Sequence, residues 1–135
     1  MTGLFPEGLT EKEFSLLTLC SNEVAGLSPI ELMSQAADHL EKVRLAHSKN
    51  IFINLKLAKA IFNTFQTVTI QWERLPSQSH PWLRGMMRYF FLSSDLESDF
   101  SSPIGFEDDA EIMNACLRLA GREDLCINSE DFDDV

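Results

Sequence analysis

From Ile51 to Trp72 the apolar residues Ile51, Leu55, Ala58, Phe62, Phe65, Val68 and Trp72 recur at steps of three and four. That spacing lines one face of a helix of about six turns. Thr67-Val68-Thr69-Ile70 is β-branched, and Val68, Ile70 and Trp72 alternate as a short strand would. The unbroken helical period outweighs that weak local preference, so the whole stretch is expected to be helix, capped at Asn50.

The same period runs elsewhere in the chain. Thr10-Glu11-Lys12-Glu13 has the form of a capping box, a hydroxyl at the N-cap and a carboxylate three residues on. A helix is expected from there to about Val24, with Leu9 stapled onto Phe14 and Gly26 as the terminator. Ser28-Pro29-Ile30-Glu31 joins a second box to a proline at the first helical position. Ile30, Met33, Ala37, Leu40 and Val43 then stripe a helix reaching about Ser48. Ser79 is expected to cap a fourth helix, with Pro81 in its first turn and an end near Leu92. A fifth opens at Pro103 or Gly105, carries Glu107, Asp108 and Asp109 where the macrodipole favours negative charge, and closes at Gly121.

These signals predict an all-α fold, a single-domain bundle of about five helices. An acidic loop precedes the last helix, and a loose acidic C-terminal tail follows the domain. The expected boundaries are residues 1–127 for the domain and 128–135 for the tail, which has little to bury. Composition agrees: of 135 residues, 44% are apolar and 24% charged, as in ordinary globular proteins and unlike disordered chains. No run approaches the roughly 20 apolar residues of a membrane helix, and the first residues lack a signal-peptide pattern, so a cytoplasmic location is expected. Cys20, Cys116 and Cys126 have no C-x-x-C spacing, and His39, His47 and His80 are scattered, so no zinc site is expected.

Charge is unevenly shared. Residues 1–94 hold nine Lys or Arg and eight Asp or Glu, net +1, whereas residues 95–135 hold two and thirteen, net −11. Direct nucleic-acid binding is not expected, because the last third disfavours phosphate contacts, which rest on Lys and Arg. A basic partner or a cation remains open. Lys42, Lys49 and Lys56, with Arg44 and Lys59 nearby, form the opposite feature, a basic surface suited to an anionic ligand or an acidic partner. The same surface is also suited to hold the chain's own acidic third.

The acidic segment begins Tyr89-Phe90-Phe91-Leu92-Ser93-Ser94-Asp95-Leu96-Glu97-Ser98-Asp99 and continues through Ile104-Gly105-Phe106-Glu107-Asp108-Asp109-Ala110. Residues 89–120 resemble the YkvA family, a small helical bacterial domain. Its aromatic helix end leads to a segment built around Asp-Leu-Ile-Pro-Asp and then to an Asp-Asp pair opening the next helix. Asp95, Leu96, Asp99, Gly105, Asp108 and Asp109 match that pattern, while Ser93 and Ser98 replace its prolines and Glu97 its apolar residue. The resemblance implies a helical element and no established reaction.

Read by chemistry alone, Asp95, Asp99, Asp108 and Asp109 can converge on a hard cation such as Ca²⁺ or Mg²⁺. The spacing is not that of an EF-hand. The competing account has Asp99 and Asp108 capping backbone N–H groups and pairing with Arg84 or Arg88. No nucleophile elbow or carboxylate pair with separated environments is evident, so no catalytic residue is assigned. The leading expectation is a non-enzymatic interaction or adaptor domain without a cofactor, acting through a protein partner, for which the acidic third suits a basic one, or through a second copy. Phe5, Phe52, Phe91, Phe100 and Phe106 are candidates for the contact patch. A cation-binding protein or metal-dependent enzyme is the first alternative. An acidic inhibitor that mimics nucleic-acid charge is the second.

Overall fold

The structure is a computed structural model, and it describes residues 5–51, 53–91 and 106–132. Its described residues form five α-helices: α1 (Glu11–Glu23), α2 (Pro29–Lys49), α3 (Leu55–Ile70), α4 (His80–Phe90) and α5 (Glu107–Leu119). Short 3-10 turns at Trp72–Arg74, Ser77–Ser79, Glu123–Leu125 and Ser129–Phe132 complete the fold, and no strand occurs among these residues. The all-α expectation holds, and residues 67–70 are helical as the period requires.

Helix α4 is the centre of the bundle. Its longest contact is with α1, and it also touches α2 and α5, while α2 packs along α3. The reason lies in its sequence: Leu83, Met86, Met87, Tyr89 and Phe90 are buried on almost every side of two turns. Phe90 anchors the core, with Phe65 edge-on at 5.5 Å, Phe106 tilted at 6.0 Å and the His39 ring edge-on at 5.0 Å. Each fully buried side chain of this size contributes about 1.5–3 kcal/mol relative to exposure.

Helix starts follow the local signals at α1 and α2. Thr10 and Glu13 form both arms of the capping box, at 3.1 Å and 2.9 Å. Ser28 Oγ accepts from the Glu31 N–H, with Pro29 in the first turn. The C-terminus of α5 is a Schellman motif: the Arg122 N–H donates to Leu117 O and the Gly121 N–H to Arg118 O. Gly121 takes the required positive φ of 77°.

Four expectations are corrected. Asn50 does not start α3. It closes α2 in extended conformation, and Asn54 is the cap, its Oδ1 accepting from the Leu57 N–H at 3.0 Å. Ile53 is buried in the connection, so the chain turns there while Ile51 is left 68% exposed. Trp72 leaves the helix for a 3-10 turn, yet stays buried by stacking on His80 at 4.4 Å. Ser79 holds the cap position of α4 but makes no side-chain cap bond there; the 3-10 turn runs straight into the helix, and Ser79 Oγ donates to Pro76 O instead. The tail expected to be loose is docked over its described part. Asn128 orders a turn by accepting from the Glu130 N–H at 3.1 Å, and Phe132 packs against the core.

Candidate functional site

The four aspartates expected to converge are placed as follows. Asp95 and Asp99 lie outside the described residues. Asp108 and Asp109 both fall in the first turn of α5, Asp108 exposed and Asp109 buried. The cap of α5 is Phe106, which makes no side-chain cap bond. Arg88, expected to hold Asp99 or Asp108, is 3.3 Å from Glu23.

Asp108 instead meets Glu13 and Glu111, with one carboxylate oxygen of each within 4.8 Å of the others. Sequence reasoning missed this corner. Glu13 was visible only as a capping residue, and nothing local shows that α1 and α5 lie side by side. The three groups would supply three of the six to eight oxygens that Ca²⁺ takes. Their chemistry already has an internal account. Glu13 is committed to the Thr10 N–H. Glu111 is held above the usual carboxylate range by partial desolvation, by its hydrogen bond with Glu13, and by the charges of Glu13, Asp108 and Glu107. The like charges around Glu111 favour its protonated form, and a cation would act against the same repulsion.

A second feature is a groove of about 690 Å³ between the end of α1, the middle of α2 and the end of α4. Val24, Leu27 and Phe91 form its apolar walls. Charges at its rim balance: Glu23 faces Arg88, and Asp38 lies one turn from Lys42. The Arg88 guanidinium also sits 5.3 Å over the Phe91 ring. His39 lines the groove at 5% exposure. Burial, and then the charge of Lys42, lower its pKa to about 4, so the imidazole is neutral near pH 7.

The third feature is the free end of the α2–α3 pair. Five Lys or Arg and no Asp or Glu occur from Lys42 to Trp72. Lys42, Leu45 and Lys49 share one stripe of α2, and Lys56 and Lys59 share one face of the first turns of α3. All four lysines are exposed. Leu45 and Ile51, 52% and 68% exposed, stand among them. Asn50 ends α2, so the lysine series is split between two helices rather than carried by one. Arg44 is paired with Glu41 one turn back.

The aromatic contact patch is corrected. Phe106 is fully buried and Phe91 half-buried, and only Phe5 is half-exposed; Phe52 and Phe100 lie outside the described residues. The thiols of Cys20 and Cys116 are buried, and burial pushes Cys116 far above the range of a working nucleophile. Among the described residues no helix is long and apolar enough to cross a membrane. Set against known protein families, curated proteins and solved structures, the chain matches none.

Proposed function

We propose that this chain is a non-enzymatic interaction domain that docks an acidic protein segment on the basic end of its α2–α3 pair. The supporting observation is the stretch from Lys42 to Trp72, which is free of acids although the chain carries a net charge of −10. Exposed lysines steer an acidic partner and set its orientation. Leu45 and Ile51 add aliphatic surface whose desolvation holds the partner once it has arrived. The partner is therefore an acidic segment with aliphatic residues at helical spacing. A cytoplasmic setting belongs to the same reading, as does the likeness of residues 89–120 to the YkvA family, which adds no reaction to it.

The test is a fluorescence-anisotropy titration with a peptide that carries Leu at i, i+3, i+4 and i+7 and Glu between them, at low and at high salt. Binding should weaken with salt, be lost in the Lys49→Glu/Lys56→Glu double variant, and persist in Lys12→Glu on the exposed face of α1. Equal binding by the double variant overturns the proposal, as does preferential binding of a basic peptide of the same length. Light scattering of the chain alone completes the test. A mass that doubles at low salt would make the occupant a second copy instead of a foreign partner.

A further inference from the structure

The segment before α1 leaves a hollow of about 420 Å³, lined by residues 5–11 and by Phe14 of the helix. The chain turns at Gly8, where φ is 87°. The Phe5 and Phe14 rings meet with centroids 6.0 Å apart at 73°, so two aromatic walls stand nearly at right angles. Phe14 is backed by Trp82, tilted against it at 5.6 Å. Pro6 and Leu9 add aliphatic surface. The lining is open to a ligand: Phe5 is 50% exposed, Phe14 and Leu9 are half-buried, and Glu7 and Glu11 are exposed.

Charge selects what this lining takes. Its ionisable residues are Glu7 and Glu11, and no Lys or Arg lines it. Among the described residues neither carboxylate is in an ion pair. Lys12 follows Glu11 in the chain, and Arg118 Nη2 comes within 3.6 Å of where a Cβ on Gly8 would stand, but both lie outside the lining. An aromatic face attracts a cation through its quadrupole, and a carboxylate attracts it through charge, so both halves of the lining favour the same ligand. A hard metal ion is a poor match, because it takes six or more oxygens and the walls are carbon. The one hydroxyl of the lining, on Thr10, is committed to the Glu13 N–H at 3.1 Å. A cation with no proton to donate leaves that bond intact. We propose that this hollow binds a small quaternary ammonium ligand, its N-methyl groups against Phe5 and Phe14 and its charge beside Glu7 and Glu11. The site is built from α1 and the segment before it, and it does not rest on the docking reading of α2 and α3.

The probe is choline, with 3,3-dimethylbutan-1-ol as the neutral control of the same shape, titrated at constant ionic strength into the full chain labelled with ¹⁵N and ¹³C. The expected result is a saturable shift of the Gly8 amide and the Leu9 methyls, with nuclear Overhauser contacts from the N-methyl protons to the Phe5 and Phe14 rings. Choline should bind about threefold or more tighter than the neutral control, the worth of an exposed cation–π contact. In Glu7→Gln/Glu11→Gln, which leaves the Thr10–Glu13 capping box in place, that preference should fall to near unity. Phe5→Leu keeps the apolar bulk and loses the ring, and it should lower the preference as well. The wild-type contacts and preference decide the matter even if a variant fails to fold. No saturable shift by tens of millimolar choline, equal binding of the two probes by the wild type, or a preference that survives in the double variant overturns the proposal. So do shifts confined to Asp108 and Glu111, which would move the cation to the carboxylate corner. A hollow that takes choline while the acidic peptide fails to bind would refute the docking proposal alone.

Discussion

Gly85 of α4 lies directly against Ser21 of α1: a Cβ at Gly85 would stand 2.2 Å from Ser21 Oγ, with Leu17 Cδ1 at 3.1 Å and Leu17 O at 3.2 Å. This is why α4 can seat itself so deeply. Glycine inside a helix costs about 1 kcal/mol relative to alanine, and the close approach of the two helices offsets that cost through the core it closes. Ser21 can rotate away from an added methyl, but the Leu17 carbonyl cannot. Gly85→Ala is therefore expected to destabilise the protein by about 1–2 kcal/mol despite its better helix propensity. Ser21 Oγ is buried without a partner among the described residues, so Ser21→Ala should be neutral or slightly stabilising. Urea melts of the two single variants and the double should show Ser21→Ala recovering part of the Gly85→Ala loss. Strict additivity would mean that the two side chains do not meet.

His39 should make the protein acid-sensitive above the carboxylate range. Its folded-state pKa of about 4 lies below the ordinary 6.5, so the unfolded chain binds the proton more readily. Its contribution is complete above pH 6.5 and is lost as pH falls through that window toward about 4. The loss should be on the order of 1–3 kcal/mol in total. Denaturant melts at several pH values between those limits, compared with His39→Leu, check it. The variant should show a flatter profile, and identical slopes would remove His39 as the cause.

The carboxylate corner should respond in the opposite sense. Glu111 is raised above its ordinary 4.5, so its contribution is fully present below that value and lost as pH rises through the raised one. Near pH 7 a like-charge penalty remains, and Glu111→Gln should raise stability by up to about 0.5 kcal/mol. Glu13→Ala should cost about 1 kcal/mol through the capping box, whereas Asp108→Ala should be neutral or mildly stabilising. The last point reverses the capping role read from sequence, because Phe106 occupies the cap position. On this account millimolar Ca²⁺, Mg²⁺ or Mn²⁺ leaves Tm within about 1 °C. A clear rise that Glu13→Ala abolishes would put a cation among the three carboxylates instead.

Why some of this was legible and some was not follows from the range of the forces involved. Thr10 with Glu13, and Ser28 with Pro29, act within one turn, so their helix starts could be read directly. Gly121 was equally local. Ile51 fits the stripe of α3 by number alone; what excludes it is the burial of Ile53 in the connection, a tertiary fact. Phe106 fits the apolar face of the last helix as well as a contact patch by sequence, and only the packing of α5 on α4, which brings it to Phe90, decides between them. The acidic corner depended on α1 meeting α5, and the groove on α1, α2 and α4 together, so neither leaves a mark in sequence spacing. Asp108 was singled out correctly as a member of α5's first turn, but its neighbours come from beyond the segment that suggested it.

Asn114 should decide whether the C-terminal segment is held. Its Nδ2 donates to Ile127 O at 2.7 Å and its Oδ1 accepts from the Ile127 N–H at 3.0 Å, so one amide closes both backbone groups of a residue outside any helix. This clasp sets Cys126 beside α5, with its Sγ donating to Asn114 O at 3.5 Å, and leads the chain on to the turn that packs Phe132. Asn114→Ala strands a donor and an acceptor together, at a cost of about 1–3 kcal/mol where they remain out of water. If the segment detaches, water satisfies both groups, and the cost appears instead as lost packing of Ile127 and Phe132. Hydrogen exchange separates these outcomes. Amides of residues 126–132 should exchange faster in Asn114→Ala while those of α5 keep their protection, because the Schellman closure at Gly121 lies upstream of the break. Unchanged exchange in 126–132 would show that Phe132 alone holds the segment and that the Asn114 clasp is dispensable.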